Sequence, residues 1–385
     1  MSGASALIYS DSYQSYRFSP EHPLKPVRLL LTYELIRDYG LLEEGGVRLV
    51  EPRAATDAEL ATVHDPEYIA KVRELSAPDA GITAAAGWGL GPGDNPVFPG
   101  MHEAAATGAG GALVAAEMIM KGEALHIFHM GGGLHHALRA KASGFCIYND
   151  PALAITYLRR EHGARVAYLD FDAHHGDGVQ YAFYDDPEVL TLSFHESGMY
   201  LFPGTGFTSE SGGADAPGSS VNVPLLPYTT DDIYLEAFDA LAPDIVRAFD
   251  PDVIVTQNGC DAHWSDPLSH LSLTLSGFRE LDNRLHGLIH ETAGGRWLAL
   301  GGGGYEAYTV VPRAWTILMA VLADAELGAR LPEEWRRECA ALYAEGAVPE
   351  MLYSDPPPDV PEQQKEKALR LAMNGVEEIR RALLP

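Results

Sequence analysis

RVAYLDFDAHHGDGVQ, residues 165 to 180, decides the fold and the chemistry together. Its first residues run apolar like a strand buried on both faces, as strands of a parallel sheet are. The run then breaks into Asp170, Asp172, His174, His175 and Asp177, five titratable groups in eight residues. Burying such a cluster is costly unless a cation sits among its members. Asp172 and His174 are two apart, so on an extended strand end both project to one face, the spacing a metal ion takes from its first two ligands. Gly176 and Gly178 let the chain turn tightly beside them. A solvated turn is the bland alternative, but such turns carry one or two acids and seldom five titratable groups. The chain has a second histidine doublet, His135-His136, whereas fifteen histidines in 385 residues give about half a doublet by chance.

Outward from this stretch, strands alternate with helical patterns. LHIF at 125 to 128, VIVTQ at 253 to 257 and WLAL at 297 to 300 are apolar runs of the same kind. Each ends in a polar or glycine-rich outburst on its C-terminal side: His135-His136, Asp261 and Tyr305. In a parallel sheet such ends share one edge, where ligands bind. Helices are expected over 27–39, 103–121, 151–162, 231–249, 276–293 and 307–323, the fourth of these being long and capped by the acids at its start. The expected fold is therefore α/β, a single large domain with a mostly parallel central sheet covered by helices on both faces. The proline-rich stretch at 355–361 precedes a last amphipathic helix; residues 1–330 read as the catalytic domain and 331–385 as a helical extension packed on it. GWGLGPGDNPVFPG, 87 to 100, is too rich in glycine and proline for a regular element and reads as a shaped surface loop.

Composition narrows the function classes. A net charge of -27 argues against nucleic acid or an anionic membrane as partner. The three scattered cysteines, Cys146, Cys260 and Cys339, suit neither a disulfide framework nor a cysteine metal cluster, and fit a reducing cytoplasm. The N-terminal MSGASALIYS lacks the basic start of a signal peptide, and no uninterrupted apolar window is long enough to span a membrane.

Asp172, His174 and Asp261 together offer two carboxylates and one imidazole, leaving coordination positions open as a catalytic metal site requires. Such an ion polarises a carbonyl and lowers the pKa of its water to about 7. His135 and His136 are candidate proton-handling groups, and Tyr305, on the GGGG hinge, a positioned hydroxyl for an oxyanion. The set suits metal-assisted amide hydrolysis.

These motifs resemble those of the histone-deacetylase-type, zinc-dependent deacylases of the arginase-deacetylase fold, class I pattern, and most closely the bacterial acetoin-utilisation deacetylase group. The resemblance spans about residues 7 to 320 and rests on GGGLHHA (131–137), ASGFCIYND (142–150), DFDAHHGDGV (170–179), FPGTG (202–206), QNGCDAHWSDPL (257–268) and GGGGYEAYTVVPRAW (301–315). It implies that Asp172, His174 and Asp261 bind zinc, or Fe(II). It pairs His135 with Asp170 and His136 with Asp177, with His136 as general base and acid and Tyr305 as the catalytic tyrosine. By the same resemblance Phe145 and Phe202 wall an acyl-lysine tunnel beside Gly144, Leu268 lies at its rim, Asp94 grips the substrate backbone, and Arg28 stands by an inner acetate channel. A potassium site is implied at Asp170, Asp172, His174, Ser193 and Phe194. The implied reaction is deacetylation of N-acyl-lysine, in proteins or peptides.

Three alternatives stand beside this. Acetylated polyamines or other small amides would suit the same chemistry. A ureohydrolase with paired manganese shares a D-A-H-x-D run, but here the run is DAHHGD and the later motif is Asp261-Ala262-His263, where a paired site wants a second acid. A non-catalytic acyl-lysine binder has no need of Tyr305.

Overall fold

The computed structural model describes residues 5–78, 85–343, 346–357 and 359–384. The first strands and helices are β1 (Ser5–Ile8), α1 (Val27–Asp38), β2 (Arg48–Val50), α2 (Asp57–Leu60), α3 (Pro66–Leu75), α4 (Met101–Met120), β3 (His126–His129), α5 (Asp150–His162) and β4 (Val166–Asp170). They are followed by α6 (Asp177–Ala182), β5 (Val189–Glu196), β6 (Ser220–Leu225), α7 (Asp231–Phe249), β7 (Val253–Gln257), α8 (Leu275–Ala293) and β8 (Trp297–Leu300). The chain ends with α9 (Val311–Leu322), α10 (Glu333–Leu342) and α11 (Glu362–Leu383).

The strands form one eight-stranded sheet in the order β2-β1-β3-β8-β7-β4-β5-β6. Every pairing is parallel. The period of two along each strand divides the core. Leu7, Phe128, Leu169, Leu192, Ile254 and Trp297 face the layer that contains α1, α7, α8 and α9. Ile8, Ile127, Tyr168, Val189, Val255 and Leu298 face α4 and α5. The alanine and glycine content of α4 allows close approach: a Cβ at Gly110 would lie 1.8 Å from the Arg53 carbonyl, and one at Gly111 would lie 2.5 Å from the His129 ring. The four strands whose ends carry the candidate chemistry, β3, β8, β7 and β4, are consecutive at the centre of the sheet, where the chain order reverses.

Some local expectations change. Helix α9 starts at Val311, four residues later than its apolar pattern suggests: before it the Glu306 carboxylate takes the N–H groups of Thr309 and Val310 and residues 307–310 form a turn. At α7 the N-cap is Thr230, and Asp231 turns away to accept from the backbone and hydroxyl of Thr274 at the start of α8. Helix α6, only six residues long, is too short to show an apolar period in sequence. Among the described residues no helix is long and apolar enough to cross a membrane, and all three cysteines are buried free thiols.

Candidate active site

Asp170 closes β4 and organises the bend after it. Its Oδ2 accepts from the Tyr168 hydroxyl at 2.7 Å and lies 2.8 Å from His135 Nδ1, while Oδ1 accepts the Asp172 N–H at 3.2 Å. That last bond takes the chain out of extended conformation, so Asp172 and His174 do not share a strand face as their spacing suggests; a bend brings them together. Asp172 Oδ1 then accepts the His174 N–H at 3.0 Å. Gly176 and Gly178 serve close approach and not left-handed backbone: a Cβ at Gly176 would lie 2.1 Å from Asp170 Oδ2, and one at Gly178 would lie 2.5 Å from the His135 carbonyl.

Asp261 arrives from the loop after β7, its Oδ1 accepting the Ala173 N–H at 2.8 Å. Asp172 Oδ2 accepts from Gln257 Nε2 at 2.6 Å and from the Gly303 N–H at 2.7 Å. One oxygen of each acid is thus fixed, and the remaining Asp172 Oδ1 and Asp261 Oδ2 both lie 3.0 Å from His174 Nδ1. All three residues are buried. Their donor atoms lie within 4.8 Å of one another and form a candidate metal site. The arrangement fits a divalent ion: a tetrahedral centre with bonds of about 2.0–2.2 Å sets neighbouring donors about 3.3 Å apart. Two glycines keep the cradle open, since a Cβ at Gly259 would lie 2.2 Å from Asp172 Oδ2 and one at Gly303 would lie 2.0 Å from Asp261 Oδ2. Burial and the repulsion of Asp172 push the Asp261 carboxyl up to about 6, while the two acids overcome burial and hold His174 well above the usual histidine range. A cation relieves both.

The tandem histidines lie across this cluster. His135 and His136 are 3.0 Å apart between their Nε2 atoms, and His136 Nδ1 lies 2.7 Å from Asp177 Oδ1. The pairs polarise in opposite senses. Burial opposes charge on His135, but Asp170 and Asp172 prevail and hold it up to about 9. Burial and then His135 itself push His136 down to about 4, against its bond to Asp177.

Aromatic walls surround the approach. Phe202 sets its edge on His136, with ring centroids 5.0 Å apart, and Phe145 does the same to Tyr305 at 5.6 Å. Between them Gly144, at φ +50°, leaves no room for a side chain: its Cβ would lie 2.4 Å from the His136 ring and 2.9 Å from the Phe202 ring. Asp94 is exposed at the lip of a cavity of about 420 Å³ lined also by Pro92, Asn95, Ser143, Gly144 and Phe202. Burial, with Asp261 and Asp172 nearby, keeps the Tyr305 phenol protonated far above its usual range. Tyr305 and Leu268 are anchored to one carboxylate, their N–H groups bonding the two oxygens of Asp266. Arg28 is buried on α1, donates to the Gly304 carbonyl at 2.9 Å and lies over the Trp315 ring. It lines a small internal cavity with Tyr13, Tyr16, Gly131 and Leu134. Ser193 is the register partner of Asp170 on β5, which places Ser193 and Phe194 beside the start of the Asp170–His174 bend.

Several contributing residues were not singled out from sequence. Asp150 accepts the N–H groups of Gly133 and Leu134, fixing the glycine loop before the tandem histidines. Gln257 and Asp266 orient Asp172 and Tyr305. These three lie inside the motifs that carry the family resemblance, so their proximity was available, though not their partners. Asp355, nearly a hundred residues beyond Asp261, lies 2.9 Å from His263 Nε2 and accepts from Trp264 Nε1. No local signal marks it.

Comparison with known proteins agrees with this geometry. The family model described as "Histone deacetylase domain" matches residues 22–322. The chain is 47% identical over 369 residues to the acetoin utilization protein AcuC of Bacillus subtilis (strain 168), covering 94% of this chain and 95% of that one. It is 40% identical over 375 residues to AcuC of Staphylococcus aureus (strain MRSA252), with 95% and 96% covered. Among solved structures, an HDAC homolog from Aquifex aeolicus matches with a TM-score of 0.86 and 30% identity over 98% of this chain and 99% of that one. An HDAC homolog complexed with SAHA matches at 0.85 and 31%, with 96% and 99% covered. With this breadth of match and a metal-dependent family's donor set in its central loops, the chain belongs to the histone deacetylase domain family.

Proposed function

We propose that the chain removes acyl groups from the Nζ of lysine, acetyl foremost, on proteins or peptides. The observation that carries this reading is the convergence of Asp172, His174 and Asp261 beside the His135-His136 pair, with the aromatic walls of Phe145 and Phe202 alongside. A zinc or iron(II) ion held by the three ligands would polarise the acyl carbonyl and acidify a water. His136, kept neutral and tied through Nδ1 to Asp177, takes the water proton as oxygen attacks the carbonyl carbon. His135, kept charged by Asp170, offsets the negative charge that develops. The Tyr305 hydroxyl donates to the oxyanion. Collapse breaks the C–N bond, His136 returns the proton to the lysine nitrogen, and acetate leaves by the cavity beside Arg28.

Phe145 and Phe202 would hold the apolar lysine stem, with Gly144 and Leu268 at the wall and rim and Asp94 accepting from the substrate backbone. Potassium at Asp170, Asp172, His174, Ser193 and Phe194 would fix the loop beneath. We take residues 1–330 as the catalytic domain and 331–385 as its extension, and the free thiols support a cytoplasmic setting.

The test is turnover of metal-reconstituted protein on acetyl-lysine peptides, longer acyl-lysines and acetylated polyamines. Peptide turnover is expected, inhibited by SAHA, and Tyr305→Phe is expected to lower kcat by about 10²–10³-fold with little change in KM. Faster turnover of acetylpolyamines would move the substrate to small amines. Cleavage of a guanidino compound with every amide inert would overturn the deacylase reading.

A further inference from the structure

At the opposite edge of the sheet from the acids, three histidines converge. His126 is the first residue of β3 and the register partner of Trp297, the first residue of β8. His286 and His290 lie one turn apart on α8, a spacing that puts both on one helix face. The three ring centroids are 4.7 to 5.0 Å apart. One ligand nitrogen from each falls within 4.8 Å of the others.

The hydrogen bonds say which nitrogens are free. His126 Nδ1 lies 2.7 Å from the Leu322 carbonyl, which only accepts, so this nitrogen carries the proton. The lone pair is therefore on Nε2, and that atom is buried without a partner in a residue 3% exposed. An orphaned buried acceptor is costly, and two more imidazoles within reach of it ask for a shared cation. His286 Nε2 and His290 Nε2 are 3.1 Å apart. One proton between them would satisfy that pair and leave His126 unanswered. An ion satisfies all three. A carbonyl on the far nitrogen of a ligating histidine is also the usual support that fixes its tautomer and ring plane.

Space and access agree. A Cβ at Gly295, where φ is +83°, would lie 2.9 Å from the His290 ring, so glycine there keeps the ring in place. His290 is exposed and His286 half-buried, which opens the cluster to solvent. A cavity of about 190 Å³ beside it is lined by His286, Asn283, Val321 and Asp324, offering room for a water and a carboxylate for charge balance.

We propose that His126, His286 and His290 bind a second divalent transition ion of the kind imidazole favours, Zn²⁺, Ni²⁺ or Cu²⁺, with the fourth position left to water. The ion ties α8 to the start of β3, whose His126 is bonded in turn to the Leu322 carbonyl at the end of α9. It is independent of the Asp172, His174, Asp261 site and of the reaction assigned there.

The test uses the full chain. Protein equilibrated with Zn²⁺ and desalted is assayed for metal, and Trp297, whose ring lies 6.1 Å from those of His126 and His286, reports Cu²⁺ binding through fluorescence quenching. Wild type is expected to retain two zinc ions per chain. His286→Asn and His290→Asn are each expected to retain one, to lose the saturable quenching, and to keep acetyl-lysine turnover. Asp261→Ala is expected to keep the ion that the histidine variants lose. A single zinc in wild type, or a second equivalent and quenching unchanged in both histidine variants, would overturn the proposal.

Discussion

Both nitrogens of His64 are engaged: Nδ1 lies 3.1 Å from the Leu138 carbonyl, and Nε2 accepts the Asn149 N–H at 2.9 Å. Asn149 in turn donates through its amide to the carbonyls of His135 and Ala137. His64 therefore braces the loop that presents the tandem pair. Neutral His64 makes both bonds, whereas a protonated ring has no acceptor for Asn149. Burial accordingly pushes His64 down to about 4 from an ordinary 6.5. The unfolded chain then binds the proton more tightly than the folded one between these values. This contribution to stability, roughly 3 kcal/mol, is complete above pH 6.5 and lost as pH falls through about 4. Urea denaturation of wild type and His64→Gln across pH 4 to 7.5 is expected to show a stability gap that narrows toward acid. A constant gap would mean that His64 does not change protonation on unfolding.

At the scale of elements, the central strands were legible because each is a short apolar run that stops at a chemical outburst, and four of them proved adjacent at the centre of the sheet. The candidate site was legible for the same reason: DFDAHHGD and GCDAH each carry their chemistry within a few residues of a strand end. What sequence leaves hidden is support from a distance. His126, His286 and His290 lie on two elements far apart in the chain, and nothing in HIFH or LHGLIHET suggests that they meet. Asp355 is the stronger case. Its Oδ2 accepts the Leu275 N–H that opens α8 and lies beside His263, and its Oδ1 accepts from the Trp264 indole, so one carboxylate clamps the loop that carries Asp261. Burial would raise Asp355, but the His263 bond outweighs it and keeps it ionised. Asp355→Ala is expected to weaken metal retention about tenfold, as loss of outer support does elsewhere. Competition with a chelator measures it, and retention equal to wild type would remove Asp355 from the site's support.

For the whole molecule, the question is whether residues 331–385 are an appendage or part of the core. Trp335 on α10 is completely buried and donates its indole N–H to the Leu31 carbonyl of α1 at 2.8 Å. On α11, Ala368, Ala372, Val376 and Ile379 form a buried stripe facing α7 and β6. Arg380 adds a bond to the Ala240 carbonyl and an ion pair with Asp244, both on α7. The apolar surface of α1 and α7 is thus closed by the extension, and exposing it leaves large patches on a chain whose solubility otherwise rests on its excess of acids. Trp335→Ala removes one of the largest buried side chains, a change that costs about 3–5 kcal/mol in a packed core. Its urea midpoint is expected to fall accordingly while kcat on an acetyl-lysine peptide, measured where the protein is folded, stays near wild type, since the hydrogen bond Trp335 loses is to the Leu31 carbonyl and not to a site residue. A chain ending at Arg330 loses that packing together with Asp355, so it is expected to aggregate or to melt well below the full chain and to release its metal more readily. Equal melting temperature and activity in the shortened chain would make 331–385 a separable tail and leave Asp261's loop to hold itself.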